Sequence, residues 1–130
     1  MSKSGIPQLN GSSICLLDDD SSVLKSTGRL LSSAGWSVQP FLDPQSFLSY
    51  AGTHQPRLVV LDMSMPLMDG LEVQKRLREV SPHTQVIVLT AKDDPVVRSR
   101  AMNLGAARYL IKPVGDEEFL CGIEGVLRNS

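Results

Sequence analysis

Five short apolar runs, at residues 14–17, 36–41, 58–61, 86–89 and 107–111, are each followed by a longer stretch whose apolar residues recur at helical spacing. Strand and helix therefore alternate five times, which predicts an open α/β sandwich with helices on both faces of one sheet. The runs LVVL and VIVL are apolar at every position, as central parallel strands must be when both faces are covered. A length of 130 residues suits one core and one domain. Residues 1–12, rich in Ser, Gly and Asn, lack apolar periodicity and read as a flexible tail, leaving 13–130 as the folded domain.

Helix signals fall where the alternation needs them. The first helix takes Ser21 or Ser22 as its cap, carries Val23, Leu24, Thr27, Leu30, Leu31 and Ala34 on one face, and ends at Gly35. The second opens on Asp43 and Pro44 and buries Phe47, Leu48 and Ala51. The third follows the cap Asp69 and the permissive Gly70, is marked by Leu71, Val73, Leu77 and Val80, and stops before Pro82. A fourth follows Pro95 with Val97, Ala101 and Leu104 and closes at Gly105. The fifth begins near Asp116, whose acidic neighbours Glu117 and Glu118 suit a helix N-terminus, and presents Phe119, Leu120, Ile123, Val126 and Leu127.

Composition narrows the function. A net charge of -1 with 21% charged residues offers no electrostatic footprint for direct nucleic-acid binding. The apolar runs are too short to span a membrane, and the first residues lack a signal-peptide hydrophobic region, so a soluble, cytoplasmic protein without a membrane partner is expected. Cys15 and Cys121 sit within apolar patterns and lack metal-ligand spacing, so both read as reduced packing residues.

Ligands of such a fold bind beyond the carboxyl ends of the strands. The residues there are Asp18, Asp19 and Asp20 after the first strand, Asp62 after the third, Thr90 after the fourth and Lys112 after the fifth. Carboxylates gathered within a few ångströms repel one another, and a hard divalent cation with oxygen ligands relieves them. Magnesium fits a site this open, and the lack of Cys and His in the cluster argues against zinc. A capped, solvated loop explains Asp18 to Asp20 equally well, with Asp20 and Ser21 doing the capping. Asp62 is harder to dismiss, because a carboxylate at the mouth of a buried strand costs desolvation energy. Beside a cation and a lysine it can attack phosphorus and form an acyl phosphate, with Lys112 and the metal neutralising charge and Thr90 donating a hydrogen bond. The plain alternative is a salt bridge from Asp62 to Lys112 that only ties two loops together.

The runs ICLLDDD, LVVLDMSMPLMDG, VIVLTA and GAARYLIKP, in that order, closely resemble the receiver domain of two-component response regulators, over Ser13 to about Arg128. The resemblance implies a flavodoxin-like, doubly wound five-stranded parallel sheet in the order 2-1-3-4-5, with five helices. It further implies that Asp62 is the phosphoacceptor, supplied by a sensor histidine kinase or phosphotransfer protein. Asp18 and Asp19 would be the acidic pair that binds Mg2+, Asp19 the more direct ligand, with Asp62 and the backbone carbonyl of Ser64 completing the metal site. Thr90 would be the switch hydroxyl, Tyr109 the aromatic that moves with it, Lys112 the phosphoryl-contacting lysine, and Lys112–Pro113 a cis peptide. The implied output is a changed surface on the fourth helix, fifth strand and fifth helix. There Arg98, Arg100 and Arg108 would dock a dimer mate or output domain, or else form an ordinary solvated face.

The chain departs from the family's pattern at Leu67, where glycine is frequent, and at Arg57, where an acid is frequent; Ala106 and Arg108 flank positions that are often acidic. None of these removes a chemical group. Ser64 and Lys92 occupy places that in the family flank the path of hydrolytic water, which leaves the phosphoryl lifetime open. An Asp-nucleophile Mg-dependent phosphatase of the haloacid dehalogenase kind is the alternative, but it needs a second Asp where Ser64 stands and a cap domain. A nucleotide or flavin carrier would need a glycine-rich loop after the first strand. Met63, Met65 and Met68 read as packing, Trp36 as a seal on the sheet edge, and His54 and His83 as loop residues without a catalytic role.

Overall fold

The computed structural model describes residues 13–129; the tail expected at 1–12 lies outside the described residues. The elements follow in strict alternation: β1 (Ser13–Leu17), α1 (Ser21–Ser33), β2 (Ser37–Phe41), α2 (Pro44–His54), β3 (Leu58–Leu61), α3 (Gly70–Val80), β4 (Gln85–Thr90), α4 (Pro95–Asn103), β5 (Arg108–Ile111) and α5 (Asp116–Arg128). The five strands form one parallel sheet in the order β2-β1-β3-β4-β5. Chain order reverses direction across the sheet at β1, beside β3, so the ends of those two strands form the crevice in which this architecture binds ligands.

Period-two alternation along the strands divides the core into two layers. Cys15, Leu17, Val59, Leu61, Val86 and Val88 face α2, α3 and α4, meeting Phe47, Ala51, Val73, Leu77 and Ala101. Ile14, Leu16, Leu58, Val60, Ile87 and Leu89 face α1 and α5, meeting Leu24, Leu31, Phe119, Ile123 and Val126. Cys15 is wholly buried, and its apolar surroundings push the thiol up to about 12. At the sheet edge β2 is mostly exposed and contains Pro40, tolerated because an edge strand has one row of backbone groups without a ladder to complete.

Several sequence expectations shift by a residue or a face. Of the caps considered for α1, Asp20 and neither Ser21 nor Ser22 holds the position, accepting from the amides of Ser22 at 2.8 Å and Val23 at 3.4 Å. Cys121 is exposed on α5 and does not pack. Val80 and Leu104 contribute little to the core, and His54 lies in the last turn of α2, stacked on Tyr50 at 4.0 Å. Gly35 and Gly105 adopt φ +96 and +101 just past α1 and α4, the left-handed geometry that ends a helix.

Two buried features were not expected. Gln74 on α3 is 1% exposed, and its Oε1 is, among the described residues, the buried side-chain oxygen or nitrogen left without a hydrogen-bond partner. Such an orphan costs about 1–3 kcal/mol. Gly70 is needed for space rather than for an unusual φ, since a Cβ there would lie 2.8 Å from the carbonyl oxygen of Asp62 and from the Cα of Met63.

Candidate functional site

The sheet brings the expected rim residues together. Asp18 directly follows β1, Asp62 follows β3, Thr90 closes β4 and Lys112 follows β5, and the strand ends are locked in register by Asp62 N to Leu17 O at 3.1 Å and Lys112 N to Thr90 O at 2.8 Å. Carboxylate oxygens of Asp18, Asp19 and Asp62 all lie within 4.8 Å of one another. Asp18 and Asp62 are buried and Asp19 is exposed, so the cluster opens to solvent on the Asp19 side.

The three consecutive aspartates divide the work. Asp20 is the helix cap. Asp18 accepts from the Asp20 amide at 3.0 Å and pairs with the Lys112 ammonium at 2.8 Å. Asp19 points into the cluster and has no capping role among the described contacts. Lys112 thus salt-bridges Asp18 rather than Asp62, which removes the plain reading of Asp62 as a structural ion-pair partner.

Burial raises the pKa of Asp62 above its ordinary carboxylate value, and the charge of Asp18 raises it further. The Thr90 hydroxyl, the Lys112 ammonium and the Ser64 amide pull it back down. That amide reaches Asp62 Oδ1 at 3.3 Å. The carboxylate is therefore held partly desolvated and incompletely compensated, as a group reserved for a ligand would be. The metal-ligating atoms the cluster offers are all carboxylate oxygens, and three carboxylates at this spacing fit a hard divalent cation such as Mg2+.

From Thr90 a chain of contacts leaves the cluster. The Thr90 hydroxyl is fully buried and accepts from the Lys92 amide at 3.2 Å. The Lys92 carbonyl in turn accepts from the Tyr109 hydroxyl at 2.9 Å. Tyr109 is buried, with its phenol pKa raised by burial first and by Asp94 and Asp93 next. Arg98, expected on a docking face, sits 5.7 Å over the Tyr109 ring. Arg100 and Arg108 are exposed. The Lys112–Pro113 peptide is cis.

Met63 and Met65 are buried and Met68 packs against the same core, so all three are packing residues. Gly70 and Gln74 escaped the sequence reading. A glycine after a cap looks like a turn signal, and a glutamine in an amphipathic helix looks like surface. Leu67 in the β3–α3 loop is 79% exposed, so replacing glycine there disturbs no core contact.

The family model of the response regulator receiver domain matches residues 14–124. Among curated proteins, response regulator MprA of Mycolicibacterium vanbaalenii is 38% identical over 117 residues, covering 90% of this chain and 51% of that protein. The chain thus spans about half the length of the curated relatives it matches. Among solved structures, a CheY-like receiver domain protein from Methanospirillum hungatei superposes with a TM-score of 0.87 at 25% identity, covering 92% of this chain and 95% of the other. A BeF3-activated DrrB receiver domain superposes at 0.80 with 30% identity, covering 91% of this chain and 98% of the other.

Proposed function

We propose, from the premise that the chain belongs to the response regulator receiver domain family, that Asp62 is the phosphoacceptor of this signalling domain. The observation that carries the reading is the convergence of Asp18, Asp19 and Asp62 within 4.8 Å, at the rim that also holds Thr90 and Lys112. Nothing comparable favours the dehalogenase-like phosphatase.

In this reading Asp18, Asp19, Asp62 and the Ser64 backbone carbonyl hold Mg2+. When bound, the ion supplies charge neutralisation on the phosphoryl oxygens. An Asp62 oxygen attacks phosphorus, the new O–P bond forms as the P–N bond to the donor histidine breaks, and the leaving imidazole retains or takes up a proton. The Lys112 ammonium exchanges its contact with Asp18 for a phosphoryl oxygen, and the Thr90 hydroxyl donates to another. Drawing Thr90 toward Asp62 strains its bond from the Lys92 amide, and so reaches Tyr109 through the Lys92 carbonyl. Ser64 and Lys92, both exposed, border the approach of water and set how long the acyl phosphate lasts. The domain in this way catalyses its own phosphorylation and dephosphorylation.

A sensor histidine kinase or phosphotransfer protein is the expected donor. The surface of α4, β5 and α5, with Arg98, Arg100 and Arg108, is the face offered to an output domain or dimer mate. Charge reversal at the three arginines is expected to abolish phosphorylation-dependent association. No described helix is long and apolar enough to cross a membrane. A cytoplasmic location goes with the reading, and free Cys15 and Cys121 accord with it.

The deciding experiment is incubation with Mg2+ and acetyl phosphate, followed by intact mass. Wild type should gain one labile phosphoryl group and Asp62→Asn none. An unmodified wild type that also stays silent with candidate kinases would reject the assignment.

A further inference from the structure

Of the described helices, the one with the fewest buried side chains is fastened at its far end by one buried amide. Helix α4 buries a single side chain, Ala101, while Val96 and Met102 face solvent. Its apolar seat on the core is that alanine methyl and the partly buried Val97, a small contact that leaves sliding and rotation poorly opposed. Gln74 supplies what packing does not, since its Nε2 donates at 3.1 Å to the Ala101 carbonyl in the last turn of α4. That carbonyl can only accept, so the amide must turn its NH2 toward it and leave Oε1 in the interior without a partner. The same carbonyl takes the Ala106 amide at 3.1 Å, so the fastening lies where α4 turns into β5.

The other end of α4 is governed differently. It begins at the Asp94 cap, two residues after Lys92, whose amide and carbonyl contact Thr90 and Tyr109. One end of the helix is therefore wired to the acceptor site, and the other is pinned to α3. An apolar residue of similar size would fill the position of Gln74 without stranding an oxygen, so a glutamine here is suited to fixing geometry and not to adding stability.

We propose that Gln74 is the pivot of helix α4. It holds the C-terminal turn in place so that a displacement at Thr90 swings the N-terminal end instead of sliding the whole helix. This rests on the phosphoacceptor reading above and adds to it the residue that decides how α4 moves.

NMR on the full chain tests it in three ways. In wild type the Gln74 side-chain NH2 protons should exchange with solvent far more slowly than those of exposed Gln45; equal rates would overturn the pivot. In Gln74→Met, which should keep or raise thermal stability, the amides of Leu104, Gly105 and Ala106 should exchange about tenfold faster, with Ile123 on α5 unchanged. Unchanged exchange at all four positions would overturn it. Should methionine fail to pack there, the wild-type side-chain rates still decide. Finally, with Mg2+ and beryllofluoride, wild-type shift changes should fade between Lys92 and Ala101, whereas in Gln74→Met they should run on through Leu104. A responding wild type whose pattern the variant reproduces would overturn the pivot alone. A wild type with no shift at Asp62 or Thr90 would overturn the phosphoacceptor reading and the pivot with it.

Discussion

Helices α4 and α5 flank the same strand, β5, and are held in opposite ways. Helix α5 buries Phe119, Gly122, Ile123, Val126 and Leu127 and starts on three acids that complement its dipole. It is further tied at its end by Arg57, which donates at 2.9 Å to the Leu127 carbonyl. Helix α4 buries Ala101, packs Val97 only partly, and receives a polar contact from Gln74. Stability and adaptability have thus been assigned to different neighbours. The adaptable one adjoins the loop that leaves Thr90, whose hydroxyl lies beside Asp62 and lowers its pKa. A helix embedded like α5 could not shift without opening the core.

Mutations should expose that asymmetry. The largest effect is expected from Phe119→Ala, which removes a wholly enclosed ring from α5 and should cost about 3–5 kcal/mol in urea unfolding. A loss under 1 kcal/mol would show that α5 is not the anchor. A smaller effect, and of opposite sign, is expected at the rim. Because burial raises the pKa of Asp62 in the folded protein above the unfolded value of 3.8, the folded state favours its protonated form. The stability that this lends is fully present below that value and is lost as pH rises through the folded pKa. Asp62→Asn should therefore be more stable than wild type at pH 7, with the advantage shrinking as unfolding is repeated toward pH 4. A constant difference across the series would contradict the assignment.

Between these extremes, Tyr109→Phe deletes the bond to the Lys92 carbonyl. It should cost about 0.5–1.5 kcal/mol, and it should loosen the amides of the β4–α4 loop in hydrogen exchange while sparing α5. The smallest effect should come from Met102→Ala on the outer face of α4, within about 0.5 kcal/mol of wild type. A larger loss there would mean that α4 is more firmly seated than its burial implies.

How much of this was legible in the chain depends on what each residue reports. LVVL and VIVL announce central strands because a strand covered on both sides cannot tolerate polar residues, and the rim was readable because it consists of whatever follows those strands. Asp43 and Asp69 were readable as caps, since capping is local. At α1 three aspartates and two serines all qualify; Asp20 takes the capping position while Asp18 turns toward Lys112, a contact between residues 94 apart that local sequence does not reveal. Gln74 was hidden for a similar reason. Its side chain suits a solvated helix face, and only the seating of α4 upon α3 encloses it. Cys121 failed in the other direction, because the stripe of α5 is narrower than the apolar spacing around it suggests.

The proline in β2 limits what the molecule can do with its neighbours. A polypeptide approaching along that side to extend the ladder would find a missing donor at position 40, in a short strand already largely wetted. Copies of this chain crowded together are thereby steered away from zipping to one another along that edge.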